Sequence, residues 1–449
     1  MIAASAALGA FALAVRGAVS DRPNIILIAA DDLGSGDLGC FGSQKIHTPN
    51  LDRLAQQGTR FTQCYAGSPV CAPSRGVLLT GLHSGHGRIR DNSPQVGGTL
   101  ESFADGKEGG MRLSFTKQDH TFAEDLRQAG YVTGATGKWG VGEPESDGTP
   151  EKHGFDEWLG YLNQNHAPYY YTDYLWQNGH KLPIPENTGG KKAVYSNDLM
   201  ADFSLDFVRR HRAQPFFLFL AYTIPHNRME VPDLSDYARE NWPADAKTYA
   251  AMVTRLDGYI GRLLAELDHL GLAENTIVFF TSDNGALAGA RCDLLRSNGD
   301  LRGAKSSVYE GGLRVPMIVR WPGHVPAGRT SAEPWMFMDF YPTFAALAKI
   351  ASPAGIDGRN VLPILTGEQS SLGERPLYWE FPRDRLWQAV RLGHWKGVRC
   401  GMDQPLELYD LTVDKQERHN VAAQHADVVA SLVRILDASH RPTPHWPAN

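Results

Sequence analysis

The sequence predicts an α/β protein: a large, mostly parallel sheet with helices on both faces, followed by a small C-terminal α+β subdomain with an antiparallel sheet. Two observations carry that prediction. Residues 24–30 (NIILIAA), 215–222 (PFFLFLAY) and 276–281 (TIVFFT) are unbroken apolar runs, as strands buried on both faces require. Helical periodicity lies between them, and strands alternating with helices imply a parallel sheet covered on both sides. A third observation locates function. The three runs end in Asp31-Asp32, in Pro225-His226 and in Asp283-Asn284-Gly285, and open α/β sheets bind ligands beyond the carboxyl ends of their strands.

Taken in order, residues 2–15 form an Ala-rich apolar run, with the small residues Ala18 and Ser20 behind it. That is the pattern of a secretory signal, although no Lys or Arg precedes the run. Residues 1–20 are therefore assigned to a signal segment and the protein to export, into a periplasm or the exterior. Thr48 and Pro49 supply an N-cap and a first helical residue, and Gly58 closes that helix. Within 249–270, Met252, Leu256, Ile260, Leu263, Leu267 and Leu270 share one helical face, and Gly271 stops it. Beyond about residue 350 the texture changes. Segments 376–381, 388–392, 395–399 and 406–411 read as antiparallel strands, and 426–438 as a last helix. The predicted domains are 21–350 and 351–449.

Composition narrows the function classes. A 449-residue chain with 42% hydrophobic and 21% charged residues has a sizeable core, which excludes a disordered, collagen-like or coiled-coil protein. The net charge of −6, with no basic tail, argues against nucleic acid as a partner. No apolar run reaches the roughly 20 residues of a membrane span. The five cysteines, Cys40, Cys64, Cys71, Cys292 and Cys400, contain no CxxC pair, so neither a disulfide scaffold nor a thiolate zinc site is indicated. Nothing in the chain specifies an oligomeric state.

Asp31, Asp32, Asp283 and Asn284 would bring three carboxylates into one small space. Two unit charges 4 Å apart repel by about 4 kcal/mol at an effective dielectric near 20, so a converging cluster calls for a cation. Oxygen donors favour calcium, or magnesium, over zinc. On spacing alone these residues are equally helix caps and turn formers.

The choice is made by Cys71-Ala72-Pro73-Ser74-Arg75, which continues to Leu79-Thr80-Gly81. Here the chain resembles the sulfatase family of the alkaline phosphatase-like superfamily, and the arylsulfatase A and N-acetylgalactosamine-6-sulfatase branch within it. The resemblance implies that Cys71 is oxidised by a formylglycine-generating maturation enzyme to the catalytic aldehyde. It implies that Asp31, Asp32, Asp283 and Asn284 hold the cation. Gly137-Lys138-Trp139 is similar to the start of the family's G-K-W-H-x-G motif. Pro225-His226 is similar to its sulfate-contacting histidine, and the block from Arg302 to Pro316 to its second active-site lysine, Lys305. The implied roles follow: Lys138, Lys305 and Arg75 grip sulfate, and His226 protonates the leaving alcohol. Pro73 is expected to open a helix whose positive end faces the anion.

Two positions depart from the family pattern. The histidine of G-K-W-H is Gly140 here, and Ala286-Leu287 follows Asp-Asn-Gly where Pro-His is usual. His86 and His166 are the candidates to compensate. A sulfated carbohydrate is the implied substrate, with His86, Arg88, His166, Arg383 and His394 as candidate contacts. The aromatic stretch 158–176 would serve either as sugar platforms or as core. Two other readings stay open: a phosphatase or phosphonate monoester hydrolase of the same superfamily, and a non-catalytic sulfate-binding relative.

Overall fold

The computed structural model describes residues 22–93, 95–102 and 108–447; the predicted signal segment lies outside the described residues. In chain order the strands are β1 (Asn24–Ala30), β2 (Thr59–Tyr65), the β3–β4 hairpin (Gln95–Ser102, Glu108–Arg112), β5 (Val132–Lys138), β6 (Glu157–Tyr161), β7 (Tyr174–Gln177), β8 (His180–Pro183), β9 (Phe216–Ala221), β10 (Thr276–Ser282), β11 (Arg314–Arg320), β12 (Arg329–Ser331) and β13 (Trp335–Met336). The main sheet runs β12-β2-β11-β10-β1-β9-β5-β6-β7-β8, with β13 also on β2. Its centre, β10-β1-β9-β5-β6, is wholly parallel. The flanks β11 and β7–β8 run antiparallel.

β1 shows why the strands are apolar throughout. Ile25, Leu27 and Ala29 enter the core on one face of the sheet, and Ile26, Ile28 and Ala30 the core on the other. Full burial of each large side chain contributes about 1.5–3 kcal/mol. A one-residue slip would exchange the two faces, so the register Asn24↔Thr276 through Ala30↔Ser282 is held firmly. That register sets Asp31 beside Asp283 at the sheet's carboxyl edge.

The long helix extends beyond the periodic region, over Ala244–His269 rather than from residue 249. Its first turn is mostly polar, so hydrophobic periodicity cannot reveal it; Pro243 and Asp245 favour the start electrostatically and sterically.

The C-terminal strands β14 (Pro376–Pro382), β15 (Leu386–Leu392), β16 (Trp395–Cys400) and β17 (Glu407–Asp410) form an antiparallel meander. The helix Ala426–Ser439 covers one face, with Leu432 and Leu436 against Tyr378, Val390 and Leu408. The opposite face, through Leu377, Trp379, Ala389 and Val398, joins one of the main-sheet cores. The two sheets thus share a hydrophobic interior.

A buried charge cluster crosses that junction. Lys396 Nζ lies 2.8 Å from Glu310 and 2.9 Å from Glu417, and all three are at most 1% exposed. Burial, together with repulsion from Glu310 and against the pull of Lys396, raises the Glu417 carboxyl to about 7. A carboxyl raised on folding favours the folded state below its unfolded pKa, and that contribution is lost as pH rises through the folded value. Glu417→Gln should therefore gain melting temperature relative to the unsubstituted protein as pH rises from about 5 to 8. Thermal denaturation across that range checks this; a difference independent of pH would contradict it.

Candidate active site

The carboxyl ends of the central strands deliver the site. Asp31 and Asp32 follow β1, Lys138 is the last residue of β5, His226 follows β9, and Asp283 and Asn284 follow β10. Asp32 adopts φ +66°, a left-handed conformation that Asp tolerates better than most residues and that turns the chain sharply after Asp31. Cys71 and Arg75 come from the helix Cys71–Thr80. That helix opens at Cys71, two residues ahead of Pro73. Pro73 fits inside the first turn because its missing N–H is one the helix leaves unpaired anyway.

These residues converge. Cys71 Sγ lies 3.3 Å from Asp31 Oδ1 and 3.8 Å from Asp32 Oδ1. Lys305 Nζ approaches Cys71 Sγ at 3.3 Å and the Asp32 carboxylate at 2.7 Å, and donates to His226 Nε2 at 3.1 Å. Lys138 Nζ donates to Asp31 at 2.7 Å. Arg75 donates to Asp283 Oδ2 through Nε and Nη2 at 3.0 and 2.8 Å. Each buried carboxylate thus has its own cation.

The electrostatics follow from burial and pairing. Burial raises Asp31, but Lys138, His226, Arg75 and Lys305 together hold it below the ordinary carboxylate range. Asp283 rises to about 6, through burial and repulsion from Asp31 that Arg75 and Lys138 only partly offset. Burial would lower Lys305, yet Asp32 and Asp31 keep its ammonium firmly protonated. Burial draws His226 down to about 4 against the pull of Asp32 and Asp31, with Lys305 adding to the fall. Burial and Asp31 push the Cys71 thiol up. An unmodified cysteine here is a neutral thiol and a poor nucleophile.

The cluster is a candidate metal site. Ligand atoms of Asp31, Asp32, Cys71 and His226 lie within 4.8 Å of one another. Asp283 Oδ1 accepts from the Asp32 N–H at 3.2 Å, and Asn284 Nδ2 donates to Asp32 Oδ1 at 2.7 Å. Asn284 Oδ1 is buried with no hydrogen-bond donor among the described residues. An orphaned carbonyl oxygen among carboxylates is what an oxygen-binding cation requires.

The predicted helper and substrate residues fare differently. His86 lies in the chain beyond the C-terminal end of the helix that begins at Cys71. There its Nδ1 meets Asp357 at 3.0 Å and its ring stacks on His83. His166 is fully buried, its Nε2 2.7 Å from Thr172 Oγ1 and its ring among Tyr161, Tyr169 and Tyr174. The stretch 158–176 accordingly supplies mainly core. Arg88 donates to the Ser114 carbonyl at 2.9 Å. His394 packs on Trp395 and lines a separate 290 Å³ cavity with Arg375 and Arg391. None of the four reaches the Cys71 cluster, because each is held by a partner elsewhere. Arg383 does face the site: with Trp387, Tyr309, Asn298 and Lys305 it lines a cleft of 790 Å³. Trp387 and Asn298 carry no sequence signal.

Residues 23–350 match the sulfatase family model. The chain belongs to the sulfatase family. Residues 304–441 also match the C-terminal model of N-sulphoglucosamine sulphohydrolase, so family similarity extends over the antiparallel sheet. The chain is 35% identical over 399 residues to the N-acetylgalactosamine-6-sulfatase of Canis lupus familiaris, covering 83% of this chain and 71% of that one. It is 30% identical over 504 residues to the N-acetylgalactosamine-6-O-sulfatase of Bacteroides thetaiotaomicron, covering 93% of each. The crystal structure of Ps i-CgsB in complex with k-i-k-neocarrahexaose superposes with a TM-score of 0.78 at 30% identity, over 95% of both chains. The alkaline phosphatase-like fold and the activity of a sulfuric ester hydrolase are thereby shared.

Since His86 serves a structural contact in this sulfatase, His86→Ala should leave turnover of an aryl sulfate within about twofold. Its loss of one ionic hydrogen bond to Asp357 should lower stability by about 1–2 kcal/mol. Steady-state kinetics beside thermal denaturation separate the two effects; a large fall in kcat at unchanged stability would return His86 to the reaction.

Proposed function

We propose that this sulfatase removes sulfate from a sulfated carbohydrate through a formylglycine at position 71 and a bound divalent cation. One observation carries the reading: Cys71, Asp31, Asp32 and Lys305 meet within hydrogen-bonding reach, and Lys305 also lines the cleft. The carbohydrate is supported by the neocarrahexaose complex of the structural relative and by a cleft that offers Trp387 and Tyr309 as ring surfaces beside Arg383. Export, a catalytic domain over 21–350 and a C-terminal subdomain over 351–449 belong to the same proposal.

Formylglycine, formed from Cys71 by the maturation enzyme, supplies a hydrated aldehyde with one hydroxyl to attack sulfur and a second that allows sulfate to leave. Asp31, Asp32, Asp283 and Asn284 would hold calcium, or alternatively magnesium, which would supply positive charge toward the sulfate. The chain's own side chains do the rest. Lys138, Lys305 and Arg75 place three fixed cations around the sulfate, so little reorganisation is needed as charge shifts during reaction. Asp283 holds Arg75 through two hydrogen bonds. It is the proposed proton acceptor. Lys305 Nζ lies 3.1 Å from His226 Nε2, and His226 is the proposed acid for the departing alcohol.

Peptide mass spectrometry of active enzyme should find formylglycine at position 71, and Cys71→Ala should abolish sulfate release with the fold intact. Full activity with an entirely unmodified cysteine would overturn the mechanism. Aryl sulfate should be hydrolysed well ahead of the matching aryl phosphate; the reverse preference would favour a phosphatase or phosphonate monoester hydrolase. Strong chelation should remove activity and calcium or magnesium restore it, whereas indifference to both treatments would exclude the cation.

A further inference from the structure

Position 140 is a hole in the site, and something fills it. Gly140 adopts φ +77°, a conformation that favours glycine. A Cβ placed there would lie 2.3 Å from Gln164 Nε2 and 3.7 Å from Arg75 Cδ. The Gln164 carboxamide therefore stands in the volume that any side chain at position 140 would enter, alongside the guanidinium arm that Asp283 holds.

The placement of Gln164 is built by the surrounding chain. Pairing between β5 and β6 continues past the strand ends: the Trp139 N–H donates to the Tyr161 carbonyl at 2.9 Å, and the Gly140 N–H to the Leu162 carbonyl at 3.1 Å. Gln164 Nε2 then returns a hydrogen bond to the Gly140 carbonyl at 3.2 Å. Its neighbours are fastened away from the site. Asn163 Nδ2 donates to the Glu143 carboxylate at 2.9 and 3.1 Å, and Arg112 donates to Asn165 Oδ1 at 2.8 Å. With both flanking residues tied, Gln164 is held in register, and the residue is 7% exposed. A primary amide has two N–H donors and one acceptor oxygen. One N–H serves Gly140, and the other makes no hydrogen bond among the described residues.

We propose that Gln164 is a sulfate-contacting residue of this enzyme, donating its free N–H beside Arg75 from the place that the family's motif histidine would otherwise fill. The assignment rests on the sulfatase reading and deepens it: the missing imidazole is replaced by a neutral amide from the next loop, which donates to the anion but exchanges no proton. Help with proton removal must then come from the ionisable groups already present, Asp283 and the Lys305–His226 pair.

Two near-isosteric variants of the matured holoenzyme test this, Gln164→Leu and Gln164→Glu, each checked for an unchanged melting temperature. The first readout is the dissociation constant of inorganic sulfate by calorimetry, and the second is kcat and KM on an aryl sulfate. Gln164→Leu keeps the volume and removes the donor. It should weaken sulfate about tenfold, the size of one hydrogen bond to a charged group, and a purely space-filling role predicts no change. Gln164→Glu should weaken sulfate further near pH 8 and recover relative to the unsubstituted enzyme toward pH 5, as its carboxyl regains a proton. Arg75, Lys138 and Asp283 face both forms equally, so the ratio isolates position 164. Unchanged sulfate affinity in Gln164→Leu, or a ratio for Gln164→Glu that is flat with pH, would overturn the proposal. Failure of the unsubstituted enzyme to turn over aryl sulfate would instead count against the function, while the sulfate affinities still decide Gln164.

Discussion

The site depends on one constraint: Asp31, Asp32 and Asp283 are each no more than 1% exposed, and none can stay charged there without a partner. Lys138 answers Asp31, Lys305 answers Asp32, and Arg75 answers Asp283. The same three cations that make the carboxylates tolerable are the ones proposed to receive the sulfate. On that proposal, stability and anion binding draw on one set of charges.

Much of the remaining architecture keeps those cations in place. Lys138 is fixed by the β5 register with β6 and β9. Lys305 lies on a loop, so its position needs further ties. Its N–H donates to the Ala286 carbonyl, and the Ser306 N–H to the Pro69 carbonyl, both at 2.9 Å. The loop is thereby sewn to the turn after β10 on one side and to the approach to Cys71 on the other. A few residues later Glu310 enters the buried pair with Lys396 of β16. The antiparallel sheet thus steadies the lysine loop from behind and also contributes Arg383 and Trp387 to the cleft in front.

Legibility followed sequence distance and chemical peculiarity. The apolar runs announced β1, β9 and β10 because burial on both faces leaves no room for polar residues, and the residues that follow each run lie at the active edge for the same reason. That Cys71, Arg75, Lys138, His226 and Lys305 converge was readable from motif resemblance, since such groupings are rare. His86 and His166 were misleading because a histidine near a motif says nothing about which way its ring points. Asp357 claims one and Thr172 with three tyrosines claims the other.

By itself the sequence determined the fold class, the strands whose carboxyl ends converge and the charged residue types gathered there, because hydrophobic period and motif chemistry are local properties. Only the tertiary structure decided which carboxylate each cation neutralises, how the C-terminal sheet reaches the cleft, and what occupies the hole at Gly140. Those outcomes turn on contacts between residues as far apart as Arg75 and Asp283, or on the direction of a side chain such as Gln164, and neither is written in any short stretch of chain.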